Sequence, residues 1–282
     1  MQDQASQANQ EPAPPKVSVV IVSHNRAEML RRCLGALERS EGREAYQVTV
    51  VDNGSRDGSA DMEQEFPWVR FMRLPHNFGL TKALNIGIRG AAADYLLLLH
   101  EDTEPAPDMV KELAAALDAR QDAGAAAPLL VDAEGHPAPQ VGDFPPDGEY
   151  QPAEPGPEPL EVDYASGAAL MFRSFFFKAM RMIDERYGQF GPDAELSFRI
   201  RNAGKKILIL PAARAVHHGR AGDSPEREID LLTGAAVFAG KHFGFMAGLK
   251  ARVRAVFGAL GRFQLGRVIP LISGQKIDGT QG

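Results

Sequence analysis

The chain has 282 residues, 44% hydrophobic and 24% charged, which fits a globular protein of one large or two small domains. A formal net charge of -6 gives no case for a nucleic-acid partner, and the single cysteine, Cys33, excludes an internal disulfide and suits a reducing compartment. The opening MQDQASQANQEPAPPK lacks the basic start and apolar core of a signal peptide, and no apolar stretch is as long as a membrane span. Residues 1–16 therefore read as a disordered polar tail, and the expected location is cytoplasmic.

From Val17 onward, short apolar runs alternate with helical patterns. VSVVIVS reads as a buried strand, followed by the amphipathic helix AEMLRRCLGALERS with Met29, Leu30, Cys33, Leu34 and Leu37 on one face. QVTVVDN is a second strand, leading to a polar turn and a short helix near Ser59 to Phe66. VRFMRL is a third strand, and TKALNIGIRGA reads as a helix despite Gly87. YLLLLH, four leucines behind Tyr95, is a strand buried on both faces, and DMVKELAAALDAR is the next helix, with Asp108 as its expected N-cap. This order predicts an α/β fold with a doubly wound, mostly parallel sheet.

Between Asp132 and Glu161 the composition turns to Pro, Gly, Asp and Glu, predicting a long loop over one face of the sheet. Structure resumes at VDYASGAALMFR, continues through the helices FFFKAMRMID and AELSFRIRNAG (capped by Gly204), and reaches a last strand, KKILILP, with AVHHG close behind. The remainder, 221–282, is a separate extension with no acid between Leu231 and Ile277. Lys241, Lys250, Arg252, Arg254, Arg262, Arg267 and Lys276 punctuate its apolar residues. That profile suits either peripheral contact with an anionic membrane or a helix packed on the domain with a solvated basic face. Gly258, Gly261 and Gly266 weaken any long helix there.

In open α/β sheets, ligands bind beyond the carboxyl ends of the strands, so the residues there carry the functional argument. The first strand-to-helix turn is Ser23-His24-Asn25-Arg26, without the glycine fingerprint of a nicotinamide or flavin enzyme. Asn25 is placed to cap the helix. Asp52, Asn53, Gly54, Ser55 and Asp57 form an acceptor-rich turn able to hold a nucleoside, or an ordinary turn. Asn77 and Gly79 mark the next turn, with Lys82 either a phosphate ligand or a surface lysine. In an extended ending His100 and Asp102 point to one side and Glu101 to the other. Asp102, hard and anionic, suits Mg²⁺ or Mn²⁺ bridging a diphosphate. Asp193 and Glu195 open a helix where the dipole favours acids regardless of function, and His217 and His218 follow a strand where an imidazole could join a metal shell.

Taken in order, these pieces resemble glycosyltransferase family 2, the inverting nucleotide-diphosphate-sugar transferases of the GT-A fold. The nearest likeness is to rhamnosyltransferase-like members that build bacterial surface polysaccharides. The likeness runs from about Val17 to Gly219 through VSVVIVSHNR, VVDNGSRDGS, NFGLTKALNIGI, LLLLHEDTEPAPDMV, VDYASGAALMFR, DERYGQF, DAELSFRIRNAGKKI and PAARAVHHG. It implies a GT-A domain over 17–220, with Asn25, Asp52, Asn53, Ser55, Asn77, Gly79, Lys82, Asn85, Glu101 and Gly167 on the nucleotide-sugar side. Asp102 matches the last acid of the family's Asp-x-Asp element, with His100 in place of the first. His100, His217 and His218 are its candidate companions on Mg²⁺ or Mn²⁺. Asp193 matches the catalytic base, Arg199 the arginine after it, and Pro192 stands where many relatives carry Glu.

The implied reaction is metal-assisted single displacement from a UDP- or dTDP-linked sugar to a glycan or lipid-linked acceptor, with inversion. Two other readings are a catalytically reduced nucleotide-sugar-binding module and, further off, a nucleotidyltransferase, which would need a glycine-rich phosphate loop after the first strand.

Overall fold

A computed structural model describes residues 14–146, 149–154, 156–219 and 225–276. Most of the tail expected over 1–16 lies outside these residues. Eleven strands are described: β1 (Val17–Ser23), β2 (Tyr46–Asp52), β3 (Arg70–Arg73), β4 (Tyr95–His100), β5 (Thr103–Pro105), β6 (Ala123–Val131), β7 (Pro139–Val141), β8 (Gln151–Pro152), β9 (Leu160–Val162), β10 (Ala169–Arg173) and β11 (Lys206–His217). The α-helices are α1 (Ala27–Glu38), α2 (Met62–Glu65), α3 (Leu80–Arg89), α4 (Met109–Ala119), α5 (Ser174–Ala179), α6 (Pro192–Asn202), α7 (Pro225–His242), α8 (Phe245–Gly261) and α9 (Leu265–Ser273).

The main sheet runs β3-β2-β1-β4-β10-β6-β11-β5, with β9 also paired to β11. β1, β2, β3 and β4 are mutually parallel, and so are β6 and β11. Antiparallel β10 sits between β4 and β6 and joins the two blocks. The sheet is therefore mostly parallel, as expected, with β10, β5 and β9 reversed.

The leucine run of β4 is explained by its position. Leu97 and Leu99 face the core under α1 and α4, while Leu96 and Leu98 face the opposite core under α3, α5 and α6. β1 divides the same way, Val19 and Ile21 against Val20 and Val22. Alternate residues reach opposite faces, so a strand covered twice must be apolar throughout. α3 carries Gly87 because a Cβ there would lie 2.6 Å from Val20 Cγ1 and 2.9 Å from Val51 Cγ2. The glycine lets the helix settle onto β1 and β2.

Several expectations need correction. β6, with the sequence AGAAAPLLV, has no counterpart in the sequence reading, yet it is buried from end to end. Over 132–161 the chain is partly ordered in strands: β7 pairs with β8, and β9 joins the main sheet beside β11. Asn25 does not cap α1; it takes a left-handed φ of 53°, and Asp57 Oδ2 accepts from Ala27 N at 2.8 Å instead. Asp108 occupies the N-cap of α4 but makes no side-chain capping bond. β11 runs through His217, which lies in the strand and not after it. Finally, α8 is 17 residues long despite its glycines. Gly248 lets it cross α7 closely, since a Cβ there would lie 2.7 Å from Gly240 Cα.

Candidate active site

The ends of β1, β2 and β4 and the turn before α3 bring the sequence-predicted polar residues into two neighbouring groups. In the first, Asp52 Oδ1 accepts from Ser55 N at 3.0 Å, and Ser55 Oγ accepts from Asn25 N at 3.0 Å. Asn25 Oδ1 accepts in turn from Arg56 N at 2.8 Å. Asn53 donates through Nδ2 to Asn77 Oδ1 at 2.8 Å and accepts from Phe78 N at 2.8 Å. Asn77 Oδ1 also accepts from Gly79 N at 2.9 Å. His24 Nδ1 donates to the Asn53 carbonyl at 2.9 Å, leaving Nε2 to accept from the Asn25 amide at 3.0 Å. Gly54 is required here: its φ is +74°, and a Cβ would lie 2.4 Å from the His76 carbonyl carbon.

The second group surrounds Asp102, which is 4% exposed. The chain turns at Glu101 and Asp102, so the two acids do not diverge as an extended ending would require. Arg26 Nη1 lies 2.7 Å from Asp102 Oδ2 and 3.5 Å from Glu101 Oε1. His217 Nε2 stands 3.5 Å from Asp102 Oδ1, and His100 Nδ1 3.9 Å from it. Burial acts to raise the Asp102 carboxyl's pKa, but both imidazoles and Arg26 outweigh it and hold the group below the usual carboxylate range. Its Oδ1 is buried with no hydrogen-bond partner. One ligand atom from each of His100, Asp102 and His217 lies within 4.8 Å of the others. An orphaned buried carboxylate oxygen between two imidazoles fits a divalent cation.

Asp193, at the start of α6, is held from four directions. Tyr150 Oη donates to Oδ2 at 2.6 Å and Tyr164 Oη to Oδ1 at 3.1 Å. Gly167 N donates to Oδ2 at 3.2 Å and Ala194 N to Oδ1 at 2.8 Å. The next residue along from Gly167 ties this group to the cation cluster, because the Ala168 carbonyl accepts from His100 N at 2.8 Å. A Cβ on Gly167 would lie 3.3 Å from Asp193 Cβ, so a side chain there would press on the acid.

Three predicted residues, His218, Asn85 and Arg199, are engaged elsewhere, while Lys82 stays exposed. His218 Nε2 pairs with Glu104 Oε1 at 2.7 Å and stands outside the cation cluster, so His217 is the imidazole that joins Asp102. Asn85 donates to Ile183 O and Glu185 Oε1, each at 2.9 Å, and accepts from Ile183 N at 3.1 Å. Its amide is spent on holding that segment. Lys82 is exposed, with Nζ 4.5 Å from the centre of the Phe78 ring. Arg199 binds the Met182 carbonyl at 2.7 Å and lies 3.3 Å from Glu195, which makes it a brace within the fold.

The sequence reading passed over Arg26, Tyr150 and Tyr164. Arg26 carried a usable signal, a cation in the turn between the first strand and its helix. Tyr150 lies in the Pro- and acid-rich stretch, where no periodicity marks it.

A family profile described as Glycosyl transferase family 2 matches residues 18–180. The uncharacterized glycosyltransferase YfnE of Bacillus subtilis is 35% identical over 99 residues, covering 34% of this chain and 25% of that protein. The dTDP-rhamnosyl transferase RfbF of Shigella flexneri is 26% identical over 210 residues, covering 71% of this chain and 68% of its own length. The mannosyltransferase PcManGT of Pyrobaculum calidifontis, solved with GDP-Man and Mn²⁺, shares the fold with a TM-score of 0.61 at 14% identity, over 93% of this chain and 74% of that one. The chain spans about a quarter of the length of the curated relatives it matches first. Since the family profile spans more than half of the sequence, the chain belongs to glycosyltransferase family 2.

Proposed function

We propose that the chain is an inverting glycosyltransferase, moving a sugar from a nucleoside diphosphate to a hydroxyl of a glycan or lipid-linked acceptor. The observation that carries this reading is the placing of Asp193 beside the His100–Asp102–His217 cluster, with Gly167 and Ala168 bridging the two. Asp52, Asn53 and Asn25 would face the nucleoside, where a preorganised turn already fixes their amides and carboxylate. The likeness to RfbF, a dTDP-rhamnosyl transferase, supports a dTDP-sugar as donor here, with a UDP-sugar as the alternative.

His100, Asp102 and His217 would hold the divalent cation. Two nitrogens and one oxygen suit Mn²⁺ better than Mg²⁺, which prefers an all-oxygen shell. When bound, such an ion supplies Lewis-acid neutralisation of charge on the departing diphosphate. The chain's own part is proton transfer and positioning. Both Asp193 oxygens are already engaged, so the acceptor hydroxyl takes the place of the Tyr150 phenol at Oδ2. Its proton passes to Asp193 as the acceptor oxygen forms a bond to the anomeric carbon. The bond from that carbon to the diphosphate oxygen breaks on the opposite face, and configuration inverts.

Asp193→Asn tests this step. Transfer falls by about 10²–10⁴-fold, the usual contribution of a positioned base, while nucleoside diphosphate binding persists. Near-normal turnover would remove Asp193 as the base.

A further inference from the structure

α8 and α9 are apolar on the wrong side for a helix that meets only water. Burying the largest side chains is the strongest gain a helix can make by packing. α8 instead buries Gly248, Ala255 and Ala259 against its neighbours. It leaves Phe245, Met246, Leu249, Val253, Phe257 and Leu260 exposed, at spacings that form one stripe along the helix. α9 repeats the pattern: Leu271 is buried, while Leu265, Ile269 and Ile272 face out. Phe263, between the two helices, is 89% exposed. Apart from Leu160 and Phe175, every large apolar side chain left exposed among the described residues lies between Phe243 and Ile272.

Charge selects the occupant. Lys250 and Arg254 are exposed at one edge of the α8 stripe, and neither has an acidic partner among the described residues. No acid occurs anywhere between Leu231 and Ile277. An apolar stripe edged by unpaired cations matches the boundary of a bilayer that carries anionic headgroups. No described helix is long and apolar enough to cross a membrane, so the match is to lying on one.

We propose that the outer face of α8 and α9 docks on an anionic lipid surface, with the aromatic and aliphatic stripe below the headgroups and Lys250 and Arg254 among them. The module is fastened to the sheet domain. Lys241 and His242, at the end of α7, each lie 2.5 Å from Glu195 of α6, and Arg262, just past the end of α8, lies 2.9 Å from Glu228 of α7. Docking would therefore present the sheet domain to the lipid surface in one orientation. This inference does not depend on the transferase reading.

Co-sedimentation of the full chain with vesicles tests it, using pure phosphatidylcholine and phosphatidylcholine mixed with phosphatidylglycerol. Binding is expected to the anionic vesicles and to fall with added salt. In Leu249→Asp/Phe257→Asp it drops on the order of a hundredfold, because two buried apolar side chains are lost. Both positions are exposed, so the melting temperature stays near wild type; a lowered one transfers the decision to Lys250→Glu/Arg254→Glu. That pair keeps the apolar stripe and weakens anionic binding about tenfold or more. Equal sedimentation with both vesicle types overturns the proposal. So does wild-type protein that stays in the supernatant, and if it elutes as a dimer that Leu249→Asp/Phe257→Asp dissociates, the face belongs to a second copy.

Discussion

Gly54 shows how a single backbone position sets the nucleoside side of the site. Its left-handed φ carries the chain from β2 back beneath His76, and the Asn53–Asn77 bond depends on that approach. Gly54→Ala adds a Cβ to a strained conformation and drives it into backbone that cannot swing aside. We expect a loss of about 2–4 kcal/mol of stability, read by urea denaturation, together with weakened nucleoside diphosphate binding. A variant as stable as wild type would show that the two turns are not coupled through this contact. At this scale the sequence was informative wherever a polar residue ended a strand, because the strand's direction alone places it. Asp52, Asn53 and Asp102, at or within two residues of a strand's end, are of that kind. It misled where a distant partner decides the matter: Asn85 answers to Ile183 and His218 to Glu104.

Among the elements, α6 holds both the candidate base and the most heavily paired buried acid. Glu195 is fully buried and faces Lys241 and His242 from α7, Arg199 from its own helix and the phenol of Tyr187. Burial acts to raise its carboxyl's pKa, yet Lys241 and His242 outweigh this and hold it below the usual range. A carboxyl depressed on folding contributes stability that is present above its unfolded pKa and is lost as pH falls through the folded value. Glu195→Gln should therefore cost about 2–4 kcal/mol at neutral pH by leaving Lys241 and Arg199 without their counter-charge. The gap from wild type narrows in acid, where both carry a neutral side chain. Chemical denaturation at neutral and acidic pH checks it; a pH-independent gap would mean that packing, not charge, joins α6 to α7. β6 shows what local reasoning cannot reach. Its alanines and Gly124 suggest no strand, but a Cβ on Gly124 would lie 3.0 Å from Phe176 and 3.1 Å from Ile200. Small residues are present because α5 and α6 press close, and propensity yields to that contact. Pro128 is tolerated where the register between β6 and β11 shifts.

In the whole molecule, a sheet covered on both faces delivers its strand ends to one edge, and α7 braces the helix that carries Asp193. Asp230 of α7 accepts from Gln189 N and Phe190 N, each at 2.9 Å, and so anchors the turn that enters α6. The alternation of strands and helices made the fold class legible, since period and order survive without tertiary detail. The helical module was harder to read because Gly258, Gly261 and Gly266 suggest breaks, whereas the close crossing of α7 and α8 is made at Gly240 and Gly248. The central claim is that the edge around Asp52 and Asp102 binds a nucleoside diphosphate with a divalent cation. Calorimetric titration of the full chain with UDP, dTDP and GDP, each with Mn²⁺, with Mg²⁺ and with chelator, tests it most directly. One diphosphate should bind with Mn²⁺, more weakly with Mg²⁺, and not with chelator or in Asp102→Ala. Folded protein that binds none of them, or binds equally with chelator, would contradict the account.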